Sequence, residues 1–218
     1  MSNCLICQSA TEQWMDSQIK IAKEFVVYHT CKHCGFTSKA RRFFIDQAAE
    51  KRQYDTHQNS LENEGYVTML NNFIDTAVMP FIKSGNALDY GSGPEPVLQS
   101  LLRQRGFDVA IYDPYYANDQ NVFVKDYDLI TSTEVFEHFY SPLNAIERIV
   151  KRLKKAGYIA IMTQFKPNDQ ATFLQWWYRR DATHVSFYTL DSFRIIEEKF
   201  GLIRRYTNHK NLLVLQKR

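Results

Sequence analysis

Four cysteines, Cys4, Cys7, Cys31 and Cys34, form two Cys-x-x-Cys pairs separated by 23 residues, with none left over. Two residues between thiols let a tight turn aim both at one point, and two such turns supply the four sulfurs of a tetrahedral Zn²⁺ site. The other readings of the same residues are two disulfides or a redox dithiol. A chain with no export signal argues against the first. A single pair opening a helix would suffice for the second. His29 and His33 lie beside the second pair and are alternative ligands. Further along, Gly91 and Gly93 stand in Gly91-Ser-Gly93-Pro-Glu-Pro96, where a side chain would otherwise keep the backbone away from a ligand. Asp113 follows Gly93 by twenty residues, the place for an acid that accepts hydrogen bonds from ribose hydroxyls. Glu134, Glu137, His138 and His184 are the candidates for moving a proton. Glu137 and His138 are neighbours on a predicted helix, so they are expected to face different ways.

These groups need elements to hold them. Ile19, Ile21, Phe25, Val27 and Tyr28 alternate in part, which predicts short strands between the cysteine pairs. About 45 residues bury little core, so metal is expected to stabilise them. Residues 46–60 are polar and read as a linker with some helix. From Tyr66 to Phe81 the apolar residues recur at helical period, with Pro80 near the end. Beyond residue 86 strands and helices alternate. Strands are predicted at 87–90, 107–112, 122–124, 128–131 and 157–162, with a terminal pair at 202–206 and 211–215. Helices are predicted at 97–105, from Ser141-Pro142 onward, and from Leu190 to Phe200. That order implies a mostly parallel sheet with ligands bound at the carboxyl ends of its strands. Residues 164–187 form a long connection rich in aromatic side chains, including Trp176, Trp177 and Tyr178, and are read as a lid over the ligand edge.

Composition restricts the classes. The 218 residues are 44% hydrophobic and 14% aromatic, the profile of a folded globular protein and not a disordered one. No apolar run approaches the roughly 20 residues of a membrane span, and residues 1–10 do not read as a signal peptide, so a cytoplasmic protein with no membrane partner is expected. The net charge of +3 neither demands nor excludes nucleic acid. Lys151, Arg152, Lys154 and Lys155 make one basic cluster, read as a solvated helix end.

The first 45 residues resemble a zinc ribbon. Leu88-Asp-Tyr-Gly-Ser-Gly93, Tyr112-Asp-Pro114 and Asp128-Leu-Ile-Thr-Ser-Thr-Glu-Val-Phe-Glu-His138 resemble successive motifs of the class I S-adenosylmethionine-dependent methyltransferases, as does His184-Val-Ser-Phe187-Tyr-Thr-Leu190 with its following helix. The resemblance spans about residues 54–216. It implies an α/β, Rossmann-like, mostly parallel seven-stranded sheet with an antiparallel last strand, beside the small ribbon. Domains are expected at 1–45 (ribbon-like module), 46–84 (helical linker and cap) and 85–218 (cofactor-binding domain). Asp89, Gly91 and Gly93 would line the methionine and ribose of S-adenosylmethionine, Asp113 would hold the ribose, and Pro114 would lie beside the adenine. Ser132, Thr133 and Glu134 would run along the cofactor and face the acceptor. Tyr54 and His57 would cap it, and His184 with Glu134 would serve catalysis. Glu95 stands where the family often has a third glycine. A small-molecule methyl acceptor is favoured. RNA or protein acceptors, and a non-catalytic nucleoside-binding adaptor, are the alternatives.

Overall fold

The computed structural model describes residues 2–56 and 59–218. Two sheets organise the chain. The larger has six strands: β4 (Gly85–Tyr90), β5 (Phe107–Tyr112), β6 (Tyr127–Thr133), β7 (Leu153–Met162), β9 (Leu202–Thr207) and β10 (Leu212–Lys217). Their order is β5-β4-β6-β7-β10-β9. The first four are parallel, and β10 runs antiparallel between β7 and β9.

Alternation along the strands feeds two cores. Ala87, Leu129, Ala160 and Val214 face α2 (Glu64–Phe73) and α3 (Val97–Gln104). Leu88, Ile130, Ile161 and Leu213 face α4 (Pro142–Lys151) and α6 (Leu190–Phe200). Period-two side chains buried on both faces are what a helix-covered parallel sheet requires. Pro142 opens α4, and a Thr189–Ser192 capping box opens α6, which Gly201 ends at φ 64°. The helix expected from Tyr66 to Phe81 is α2 continued by one π-helical turn, Ile74–Val78, and it stops before Pro80.

One predicted strand is absent. Residues 122–124 lie in a 3-10 turn, Gln120–Val124, so the sheet has six described strands and not seven. The segment is short, and Asp119 caps the turn by accepting from the Asn121 N–H. Val122 is buried, Val124 is 78% exposed, and the Arg148 guanidinium lies 3.6 Å from the Phe123 ring centre. A three-residue run with one apolar side chain left in water has little to gain from edge pairing.

The smaller sheet, in order β1-β2-β3-β8, contains the cysteine module. A long hairpin, β1 (Thr11–Ile21) and β2 (Glu24–Cys31), is followed by β3 (Thr37–Lys39). Its fourth strand, β8 (Ser186–Phe187), comes from far along the chain and pairs Thr37 with Phe187. The module expected at 1–45 therefore shares its sheet with the segment expected to be the lid. Arg179 completes the join. It is buried, pairs with the buried Asp16 and donates to Gln18 Oε1 at 2.6 Å and to the Phe173 carbonyl at 2.9 Å. Between the module and the large sheet lies α1 (Gln47–Tyr54), capped by Asp46.

Candidate functional site

The carboxyl ends of β4, β5 and β6 open on a cleft of about 830 Å³, the size of a pocket for a cofactor with a small substrate. Gly91, Gly93, Asp89, Asp113, Pro114, Thr133 and Glu134 line it, as do Tyr54, Trp177, Tyr178 and His184. Chain positions from 47 to 211 thus meet at one place. Ser132 and Trp176 are not among the described residues that line the cleft. Ser132 is buried and donates to the Tyr90 carbonyl at 3.1 Å, while Trp176 packs on Phe173 and Phe187. His57 lies outside the described residues.

The glycines differ in what they permit. Gly91 has φ 87°, and a Cβ there would stand 2.3 Å from Val135 Cγ2. Gly93 has φ 67° with nothing within 4 Å of the same position, so its bare face looks into open space. Its N–H donates to Asp113 Oδ2 at 3.0 Å, while Tyr115 and Tyr116 N–H groups donate to Oδ1 at 2.8 and 3.2 Å. Asp113 is thereby fixed at the loop, with lone pairs remaining for a ligand. Asp89 is buried, and burial pushes its carboxyl up to about 7 against the Thr131 hydroxyl, which donates at 3.1 Å and favours the charged form.

On the facing side Glu134 has φ 54°, an uncommon conformation for a non-glycine residue. Its N–H is held by the Met162 carbonyl at 2.8 Å, and its Oε2 accepts from the Tyr178 hydroxyl at 3.1 Å. Burial first, then the charge of Glu137, raises its carboxyl to about 8. His184 is buried, and its Nδ1 donates to the Tyr178 carbonyl at 2.7 Å. Burial first, then neighbouring His138, lowers its imidazole to about 3.

Glu137 and His138 correct the sequence reading. They sit on a single 3-10 turn, Phe136–His138, and both line the cleft, with Glu137 Oε1 and His138 Nε2 3.7 Å apart. A helix would have splayed neighbours; a lone turn followed by extended backbone does not. Glu50 was missed altogether. It is buried, lines the cleft and accepts from Tyr54 at 2.8 Å and Tyr115 at 2.5 Å. Its segment is polar, and its second partner, Tyr115, lies 65 residues away.

The four cysteine thiols converge as their spacing requires. Cys4 and Cys34 sulfurs are 3.7 Å apart, Cys7 and Cys31 sulfurs 3.4 Å, and all four fall within 4.8 Å of one another without a disulfide. Four sulfurs about 2.3 Å from one ion lie about 3.8 Å apart, so the cluster fits a tetrahedral metal site. Among the described residues no helix is long and apolar enough to cross a membrane. The basic cluster is mostly neutralised locally: Lys151 pairs with Glu147, Arg152 with Asp126 and Lys154 with Asp128.

Comparison with known proteins follows the same outline. A search of curated proteins finds no match. Among solved structures, the magnesium protoporphyrin IX methyltransferase of Synechocystis, with S-adenosylhomocysteine bound, is 15% identical with a TM-score of 0.52 over 82% of this chain and 98% of that one. An O-methyltransferase family 2 protein of Planctomyces limnophilus, in complex with apigenin, is 16% identical with a TM-score of 0.58 over 80% of this chain and 62% of that one. A proposed S-adenosyl-L-methionine-dependent methyltransferase of Methanococcus maripaludis is 17% identical with a TM-score of 0.53, over 79% and 93%. At these identities the likeness is one of fold. The family model of a methyltransferase domain matches residues 66–203, more than half the sequence, and the chain belongs to that family.

Proposed function

We propose that the chain methylates a small-molecule acceptor from S-adenosylmethionine, and that Cys4, Cys7, Cys31 and Cys34 hold a structural Zn²⁺. The observation that carries the first part is the bare face of Gly93, held to Asp113 and opening on the same cleft as Glu134. S-adenosylmethionine supplies a methyl group already activated on a sulfonium. Gly93 would admit its amino-acid and ribose portion while Gly91 shapes that loop against Val135, Asp89 would line its methionine part, Asp113 would take its ribose hydroxyls, Pro114 would border its base, and Tyr54 would cap it. Thr133 and Glu134 then border the acceptor.

Because the leaving group is activated, positioning is the larger part of this catalysis. Where the acceptor must lose a proton, Glu134 Oε1 or Oε2 is the group to take it, since a carboxyl near 8 is poised at neutral pH. His184 stays neutral throughout that range and contributes a fixed lone pair and not a proton shuttle. Trp177, 64% exposed at the rim, grips the acceptor and sheds water from it. A small acceptor is supported by the size of the cleft and by the apigenin of the Planctomyces complex. Carboxylates paired with Lys151, Arg152 and Lys154 weigh against a basic face for RNA there.

Titration calorimetry of the whole chain should give one site for S-adenosylmethionine and one for its demethylated product. Absence of heat with both overturns the proposal. Trp177→Ala should reduce acceptor turnover tenfold or more with cofactor affinity nearly unchanged.

A further inference from the structure

We propose a second metal site, distinct from the cysteines, in which Glu137, His138 and His184 bind a divalent first-row transition ion at the floor of the cleft. The three side chains each offer a donor atom, and those atoms lie within 4.8 Å of one another. Ligands around one such ion stand roughly 3–4 Å apart, so closure needs only small side-chain movement.

Two further observations point the same way. Both imidazoles are fixed from behind by carbonyl oxygens, His138 Nδ1 by Thr183 at 3.2 Å and His184 Nδ1 by Tyr178 at 2.7 Å. A carbonyl only accepts, so each Nδ1 carries the proton and each Nε2 the lone pair, the tautomer a metal requires. The carboxylate is half satisfied. Glu137 Oε2 accepts from Thr163 at 2.9 Å, while Oε1 is fully buried without a hydrogen-bond partner, 3.7 Å from His138 Nε2. An orphaned carboxylate oxygen beside two oriented imidazoles is costly until a proton or a cation completes it, and a cation shared with both Nε2 atoms satisfies all three donors at once.

The backbone holds the two halves of the site together. Val185 N–H donates to the Glu137 carbonyl at 2.9 Å, and buried Lys39 reaches the carbonyls of Asp181 and Ala182 at 3.3 and 3.0 Å. Two imidazoles and one carboxylate leave coordination positions open, and the cleft lies where they open. An acceptor bearing a hydroxyl or carboxylate oxygen could fill one. This last step rests on the methyltransferase reading; the site itself does not.

The test uses the full-length, zinc-loaded chain and MnCl₂ as probe, because a hard ion discriminates against the four thiolates. Calorimetry should show one Mn²⁺ per chain. Glu137→Gln and His184→Gln should each weaken it at least tenfold, while zinc stays at one per chain and S-adenosylhomocysteine affinity is kept. No Mn²⁺ binding by the unaltered chain, or binding unchanged in both variants, overturns the site and leaves the cluster as a hydrogen-bonded acid–base group. His138→Gln supplies a third variant should one of the others fail to fold. Metal binding without cofactor heat would instead sink methyl transfer and leave this site standing.

Discussion

At Gly91 and Gly93 two residues of one type answer to different constraints, and substitution should separate them. A methyl at Gly91 would strike Val135, so Gly91→Ala should lower folding stability by about 2–3 kcal/mol. At Gly93 the added methyl meets nothing, leaving only the cost of a left-handed alanine, about 1–2 kcal/mol. Gly93→Ala should instead cost tenfold or more in cofactor affinity, since the methyl stands where the ligand must approach. Denaturant titration and calorimetry on both variants check the contrast. Asp89 gives a pH prediction. Unfolded, its carboxyl releases its proton near its ordinary value; folded, burial keeps it to about 7. Between those values the folded state binds more protons, so stability falls as pH rises, by about 1.4 kcal/mol per unit at most for this group. Asp89→Asn should flatten that slope and make the chain more stable than wild type at pH 8, with a higher urea midpoint, while impairing cofactor binding. These residues were legible because a glycine loop and an acid twenty residues on carry their own local logic. Glu50 was not, because what makes it distinctive is burial against Tyr115, distant in sequence; Glu137 was among the proton-moving candidates, and only its shared orientation with His138 escaped the sequence.

Elements were read well where periodicity was long. The helix beginning at Ser141-Pro142 and the strand ending at Met162 fall where alternation and capping put them. The failures were short segments. Three apolar residues at 122–124 look like a strand but form a turn, because pairing depends on a neighbour the local sequence does not specify. The two-residue β8 was invisible for the converse reason: it exists only because β3 offers an edge. That edge and the Arg179–Asp16 pair fasten the aromatic connection to the cysteine module. Both partners of the pair are fully buried, so Arg179→Ala leaves a carboxylate uncompensated and should cost about 3–5 kcal/mol. The double substitution Asp16→Leu with Arg179→Met should recover most of that loss. If it does not, the guanidinium's bonds to Gln18 and the Phe173 carbonyl matter more than the ion pair.

At the scale of the molecule, direct contacts join the cysteine cluster to the cleft. Thr189 caps α6 through the Ser192 N–H and also donates its hydroxyl to the Cys34 carbonyl at 2.5 Å. The same knuckle turns at Gly35, where an added Cβ would meet Thr189 Cγ2 at 2.8 Å. Two residues further, β3 pairs with β8, and Lys39 holds the carbonyls just before Thr183 and His184. The proposed four-thiolate site would have no catalytic position, but it would set the geometry of the knuckle. The knuckle in turn sets where His184 and Tyr178 stand. Stripping the proposed Zn²⁺ with a chelator should therefore act at a distance. Hydrogen exchange should quicken through β3 and residues 181–189, while β4, β6 and β7, buried between two helical layers, keep their protection. Cofactor affinity, which depends on the glycine loop, should fall less than methyl turnover. Protection unchanged at 181–189 after metal loss would uncouple the module from the cleft and leave it a separate docking element.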